Sequence, residues 1–284
     1  MPPVNDNPLG SYLKDRRTKL DPAAFGLAPT RRRTPGLRRE EVAQRANVSV
    51  TWYTWLEQGR GGAPSADVLD RIAAALMLTE VEREHLFLLG LGRQPEVRYH
   101  VVESISPRLQ RVLDSLEFSP AFVRTPTWDV IAWNRAAAAV LGDYGAVPFE
   151  QRNILRRVFC DPASRARMAD REHSTRFLVA AFRADAARAG ASKEIEALVD
   201  ELSHASPEFA SLWRENDVRH YGEGTKHLLH PSGGKIALEY SSFAVDGRPD
   251  LGMVIFNPAT AADVALVKSL IDAYIASTVQ QAAE

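Results

Sequence analysis

The stretch Arg39–Gln58, REEVAQRANVSVTWYTWLEQ, decides the fold of the first third of the chain. Its apolar residues recur at helical spacing on both sides of Asn47, a residue type that tolerates the left-handed backbone of a tight turn. Ala43 is small enough for two crossing helices to touch there, and Tyr53 and Leu56 give the second helix one apolar face. We therefore predict two short helices joined by a turn at Asn47.

The second of these helices has an unusual composition on its other face. A solvent-facing helix of an ordinary domain carries Lys, Glu and Gln, whereas this face carries Val, Thr and Trp, which suit thymine methyl groups and base edges in a major groove. A hydroxyl at the helix N-terminus can in addition meet a phosphate. The pair predicts a DNA-binding helix-turn-helix, with a purely structural helical bundle as the alternative. The candidate contact residues are Ser49, Val50, Thr51, Thr54 and Trp55.

Positive charge is concentrated around this motif. The net charge of the chain is −1, yet residues 10–60 contain eleven Lys and Arg against five Asp and Glu, a local surplus of six. Such asymmetry is expected of an N-terminal module that meets a polyanion and a C-terminal module with another task. The guanidinium groups that we expect to neutralise DNA phosphates belong to Arg31, Arg32, Arg33, Arg38, Arg39 and Arg60.

The rest of the composition is that of a soluble protein without a membrane partner. Hydrophobic residues make up 45% and charged residues 25% of the chain, and no apolar run approaches the roughly 18 residues of a membrane span. The N-terminus has neither the basic nor the apolar region of a secretion signal. A single cysteine, Cys160, excludes an intramolecular disulfide. We therefore expect a cytoplasmic location.

The order of elements along the chain predicts two domains. Five short helical segments between residues 9 and 90 indicate a compact all-α domain, and the following stretch has two prolines and no helical period. After it come a strand–turn–strand–helix pattern over 120–144, amphipathic helices, and three β-rich runs over 225–258. These elements predict an α+β domain with an antiparallel sheet. The expected boundaries are 1–92 for the first domain, 93–105 for the linker and 106–284 for the second domain.

Longer strings of the sequence resemble a known family of bacterial regulators. RRRTPGLRREEVA and LEQGR resemble the helix-turn-helix of Xre/Cro-repressor-type regulators, and SPAFVRTPTWDVIAWNRAA, LWRENDV and LEYSSFAV extend the resemblance to the subgroup with an MmyB-like ligand-binding domain. The resemblance implies a PAS-like sensor domain, fatty acids or similar apolar molecules as ligands, and control of adjacent genes. The chain departs from the family at Trp55, where Arg is common, and at Asn47, where Gly is usual.

Several large side chains of the second domain are candidates for a ligand pocket, although each could instead be plain core. Alternation along the second strand predicts that Trp128, Val130 and Ala132 face one way and that Asp129, Ile131 and Trp133 face the other. A guanidinium such as that of Arg183 suits a carboxylate, while Asn134 stands where it can also cap a helix. The candidate ligand-binding residues are Trp133, Asn134, Phe159, Phe177, Phe182, Arg183 and Trp213.

Enzymatic features are weak. His227 and His230 lie on a β-rich run, where a spacing of three points side chains to opposite faces, and neither has an acidic or Cys partner nearby in the sequence. The sequence thus predicts no catalytic residues, no metal site and no cofactor.

We expect a transcription regulator that binds a double-stranded operator as a homodimer, with two recognition helices about 34 Å apart. In this hypothesis a small apolar, fatty-acid-like molecule in the C-terminal domain modulates DNA binding. The alternatives are a helix-turn-helix protein acting as a protein-interaction or antitoxin-like module without sensing, and an enzyme with a regulatory head.

Overall fold

The computed structural model describes residues 7–27, 36–60, 62–95, 104–188 and 192–283. Contacts divide the chain into two compact units, Met1–Pro95 and Glu96–Glu284. Arg31, Arg32 and Arg33 and most of the expected linker 93–105 lie outside the described residues. Within the described ranges, no helix is both long and apolar enough to cross a bilayer.

The first unit is helical, as predicted, and its helices begin where the sequence places N-caps. The side chains of Ser49, Ser65 and Thr79 each accept a hydrogen bond from the backbone N–H three residues on. The backbone N–H of Thr79 in turn donates to the carboxylate of Glu82, which completes a capping box. The helices are α1 (Pro8–Lys19), α2 (Arg39–Arg45), α3 (Val50–Glu57), α4 (Ala66–Ala75) and α5 (Glu80–Leu91).

Close packing of α1 on α3 positions the second helix of the motif. Gly10 makes this approach possible, because a Cβ there would lie 2.2 Å from the carbonyl oxygen of Glu57. The side-chain amide of Asn7 donates to the same carbonyl at 3.1 Å. The C-terminal end of α3 is therefore held by α1, while its N-terminal end is held by α2 through the turn.

The second unit is α+β, as predicted, with one antiparallel sheet in the order β2-β1-β5-β4-β3. The strands are β1 (Ala121–Arg124), β2 (Val130–Trp133), β3 (Glu223–His230), β4 (Gly234–Val245) and β5 (Arg248–Pro258). The helices are α6 (Pro107–Asp114), α7 (Arg135–Val140), α8 (Ile154–Cys160), α9 (Pro162–Ala166), α10 (Arg171–Arg188), α11 (Ser192–Ala205), α12 (Pro207–Arg214) and α13 (Ala261–Ala283). Helices α7–α12 thus form one insert between β2 and β3.

The two faces of this sheet carry separate apolar cores, and the alternation predicted for β2 is wrong. Trp128 and Val130 belong to the larger core, to which Trp133 also packs, whereas Ile131 and Ala132 belong to the smaller one. The reason is a β-bulge, because Val123 pairs with Ala132 but the next residue of β1 pairs with Val130. Ile131 is the extra residue, and it reverses the faces of the residues that follow it.

Candidate DNA-binding surface and ligand cavity

The turn between α2 and α3 has the geometry that its sequence predicts. Asn47 has φ of 51°, in the left-handed region, and the N–H of Val48 donates to the carbonyl of Ala43 at 2.9 Å. Ala43 is buried, as the contact between crossing helices requires. This turn fixes the start of α3, where Ser49 Oγ accepts a hydrogen bond from the N–H of Trp52 at 3.1 Å.

One face of α3 is buried and the other is open to solvent. Tyr53 and Leu56 are buried in the first unit. On the other face, Val50 and Trp55 are 45% and 49% exposed, so that two large apolar side chains of one helix lie open to solvent. Thr51 and Ser49 are exposed as well.

Thr54 lies on the same face, but its hydroxyl hydrogen is already used within the helix. It is half-buried, and its hydroxyl donates to the carbonyl of Val50 at 2.8 Å, so only its methyl group and the lone pairs of its oxygen remain for another molecule.

A buried ion cluster ties three helices together behind this surface. The carboxylate of Glu57 at the end of α3 accepts from Arg17 Nε at 2.6 Å and from Arg39 Nε at 2.7 Å. Burial alone would raise the pKa of Glu57, but the hydrogen bonds and charges of Arg17 and Arg39 outweigh it and lower the pKa. A second contact, from Arg17 Nη1 to the carbonyl of Leu37 at 2.7 Å, secures the segment before α2.

Sequence reasoning missed Arg17 and Glu57. A signal existed, since Glu57 is the one charged residue of α3 and directly follows the buried Leu56. Arg39, expected at a phosphate, contributes its Nε to this cluster. Arg38 and Arg60 are exposed, and Arg60 is tied to α3 by its N–H, which donates to the carbonyl of Trp55 at 2.8 Å.

The second unit contains a cavity of about 550 Å³ between the sheet and the inserted helices. That volume is in the range of small-molecule sites. Six aromatic rings line it, of which three come from β1, β4 and β5, one from α10 and two from the segments between α7 and α8 and before β3. These rings are Phe122, Tyr144, Phe177, Tyr221, Tyr240 and Phe256.

Four Lys and Arg side chains line the same cavity: Arg157, Arg167, Arg219 and Lys226. Arg219 is exposed. Lys226 keeps an accessible surface, but that surface faces the cavity, where its Nζ lies 5.7 Å from the ring centre of Phe256. Burial, together with the charges of Arg167 and Arg157, lowers the pKa of Lys226 to about 8, so that it is still mainly protonated at pH 7. Burial and the charge of Arg157 also lower the pKa of Arg167.

Two family models match the chain, one within each compact unit. Residues 105–270 match the family of the MmyB-like transcription regulator ligand binding domain, and residues 8–86 match a helix-turn-helix domain family. The chain belongs to the MmyB-like transcription regulators. It is thus a DNA-binding transcription regulator with a ligand-binding domain. No curated protein matches the chain.

Of the seven residues expected at the ligand of this MmyB-like regulator, the structure brings only Phe177 to the cavity wall. Phe159, Phe182 and Trp213 belong to a neighbouring aromatic cluster in which Phe209 stacks on Trp213 at a centroid distance of 5.8 Å. Arg183 is held there too, with its guanidinium 3.9 Å from the ring centre of Trp213 and donating to the carbonyl of that residue.

The two remaining candidates have structural contacts outside the cavity wall. Trp133 packs against Tyr144 at 5.6 Å and lies under the guanidinium of Arg152 at 5.2 Å. Asn134 is buried, and its oxygen accepts from the N–H groups of Ala121 and Ala137 at 3.0 and 2.9 Å. Its amide donates to three backbone carbonyls at 2.8 to 3.2 Å, so no polar capacity of the MmyB-like regulator's Asn134 is left for a ligand.

The two histidines of β3, His227 and His230, have different environments. His227 is exposed, whereas His230 is half-buried and contacts the carbonyl of Ala139 through Nε2 at 3.1 Å. Within the part of the regulator that the structure describes, no three His, Cys, Asp or Glu side chains stand together as metal ligands.

Proposed function

We propose that this regulator reads a specific operator through the exposed face of α3, and that a small fatty-acid-like molecule in the cavity modulates this binding. The observation that carries the proposal is the exposure of Val50 and Trp55 on one face of a helix whose opposite face is buried. Leaving such apolar surface in water is unfavourable unless a partner covers it.

At the DNA, Val50, Thr51, Thr54 and Trp55 contact base edges and thymine methyl groups. Ser49 at the N-terminus of α3 meets a phosphate, where the helix dipole also favours an anion. The flanking phosphates are neutralised by Arg31, Arg32, Arg33, Arg38, Arg39 and Arg60. In this arrangement the Glu57 cluster orients Arg39, whose side chain is 39% exposed, and leaves the rest of its guanidinium for a phosphate.

In the sensor domain, the aromatic rings around Phe177 hold an acyl chain. Support comes from the size of the cavity and from the aromatic and aliphatic residues that make up half of its lining. The five-stranded antiparallel sheet, with the inserted helices packed over one face and α6 over the other, supports a PAS-like description of this domain. Ligand occupancy then shifts the regulator between two populations that differ in operator affinity.

The regulator acts as a homodimer in the cytoplasm. One recognition helix covers only a few base pairs, and two copies reading half-sites one DNA turn apart reach useful affinity.

The DNA part of the proposal is tested with duplexes selected from a randomised pool by the full-length protein. We expect Trp55→Ala to weaken binding of the selected duplex at least about fivefold, because one good base contact contributes about 1–3 kcal/mol. Val81→Ala is the matched control, since Val81 is another exposed apolar residue of the same domain, 70% exposed on α5. Equal affinities of Trp55→Ala and Val81→Ala, measured by fluorescence anisotropy, would contradict the proposed reading face.

A further inference from the structure

Arg157, Arg167 and Lys226 come together in the cavity from three separate elements. Arg157 lies on α8, Arg167 follows α9, and Lys226 lies on β3. The position that a Cβ would take on Gly142 lies 2.7 Å from Arg157 Nη2 and 3.3 Å from Arg167 Nη1, so these nitrogens are at most 6.0 Å apart, the sum of the two distances. Gly142 has φ of 120°, and its lack of a side chain leaves this space to the guanidinium groups.

Among the described residues, no carboxylate forms an ion pair with Arg157, Arg167 or Lys226. The hydrogen bond from Ser164 and, to a smaller extent, the charge of Arg157 lower the pKa of Asp161. Asp170 and Glu223 also line the cavity, but both are exposed and neither forms an ion pair with the three cations. Asp170 instead accepts from the N–H of His173 at the start of α10. Like charges this close repel one another, and a negatively charged ligand would relieve that repulsion.

The donors of the cluster are largely unused within the described ranges. Arg167 donates to the carbonyls of Val140 and Leu141 at 2.5 and 3.1 Å. Arg157 Nη1 is buried without a hydrogen-bond partner, and Lys226 has only its contact with the ring of Phe256. Two guanidinium groups and an ammonium offer about thirteen N–H donors by type, whereas a carboxylate offers about four lone-pair sites.

We propose that the ligand of this cavity carries a head with two negative charges, as a phosphate monoester does, and that Arg157, Arg167 and Lys226 bind it. The proposal rests on the proposed sensing function and specifies the head group of the molecule sensed. A carboxylate balances one of the three charges. A phosphate monoester is dianionic above its second pKa of about 6 and brings three terminal oxygens to the donors.

The test compares four eight-carbon amphiphiles by titration calorimetry on full-length, lipid-stripped protein at pH 7.5. They are octyl phosphate, octyl sulfate, octanoate and octanol, so that head charge and head shape vary separately. We expect octyl phosphate to bind about tenfold more tightly than octyl sulfate or octanoate, and octanol to bind most weakly. Lys226→Met removes one charge without removing a protein hydrogen bond, and we expect the preference for phosphate to fall several-fold. Lys235→Met on β4, which is exposed and outside the cavity, is the control.

Two results separate this proposal from the sensing function on which it rests. Binding of octanoate as tight as that of octyl phosphate, or an unchanged preference in Lys226→Met, overturns the dianionic head and leaves sensing of an apolar molecule intact. Binding of none of the four overturns both. Equal binding of octyl sulfate and octyl phosphate also overturns the proposal, because shape and not charge would then decide.

Discussion

Glu57 is the residue on which the placement of the recognition helix depends. Its carboxylate is 1% exposed and bridges Arg17 and Arg39, so α1, α2 and α3 meet at one charge. Neutralising it leaves a buried arginine without a counter-charge, which is among the most destabilising single changes.

We therefore expect Glu57→Gln to lower the free energy of unfolding of the helical domain by about 3 kcal/mol at pH 7. Hydrogen exchange of peptides from α3, followed by mass spectrometry, measures this without interference from the other domain. Glu40→Gln removes an exposed carboxylate of α2 and serves as control, with an expected change below about 0.5 kcal/mol.

The same substitution has a defined pH dependence. Because the pKa of Glu57 is lowered in the folded chain, its contribution is complete above its ordinary value of 4.5 and is lost as pH falls through the lowered pKa. The difference between wild type and Glu57→Gln should accordingly shrink as pH falls below about 4.5. A difference that is the same at pH 7 and at acid pH would show that the ion cluster does not stabilise the domain.

At the scale of elements, α3 combines a structural end with a functional one. Ser49 caps the helix and is proposed to meet a phosphate, and these two roles respond differently to substitution. Aspartate caps as well as serine and suits the helix dipole, but it repels a phosphate.

Ser49→Asp should therefore keep the stability of the domain while weakening DNA binding by at least tenfold. Ser65→Asp is the matched control, because Ser65 caps α4 in the same way, accepting from the N–H of Val68 at 3.3 Å. Ser49→Ala, in contrast, should lower stability by about 1 kcal/mol through loss of the cap. Thermal unfolding and fluorescence anisotropy with the selected duplex measure the two effects, and full DNA affinity in Ser49→Asp would remove Ser49 from the interface.

The sequence predicts elements of this protein better than it predicts the cavity. Local signals such as Asn47 in the turn and the Thr79–Glu82 capping box determine helix ends, and the structure has both. The bulge at Ile131 has no local signal of this kind, because it depends on how β2 pairs with β1.

The cavity was harder to predict because its residues are distant in sequence. Arg157 and Arg167 look like surface cations of amphipathic helices, and only the fold brings them beside Lys226. One signal is present in the sequence: Lys226 lies two residues before the buried Leu228 and therefore on the same face of β3. Phe182 and Trp213, which the sequence suggests as ligand contacts, belong instead to a neighbouring aromatic cluster of the core.

At the scale of the whole molecule, the proposed dimer has a direct consequence for the operator. Two copies of α3 should select two half-sites whose centres are about 10 base pairs apart. Native mass spectrometry of the complex should then show two chains on each selected duplex. A single chain on a duplex with one half-site would contradict the dimer.

In the proposed mechanism, ligand binding in the cavity is coupled to operator binding by the helix-turn-helix domain. Ligand binding and operator binding must then influence each other by the same factor, and typical coupling is five-fold or more. The most direct measurement is the dissociation constant of the selected duplex for lipid-stripped protein, with and without saturating octyl phosphate, and with octanoate in parallel. We expect the dissociation constant to change at least about five-fold with the ligand that occupies the cavity. An occupied cavity, verified by calorimetry, with an unchanged operator affinity would contradict this coupling.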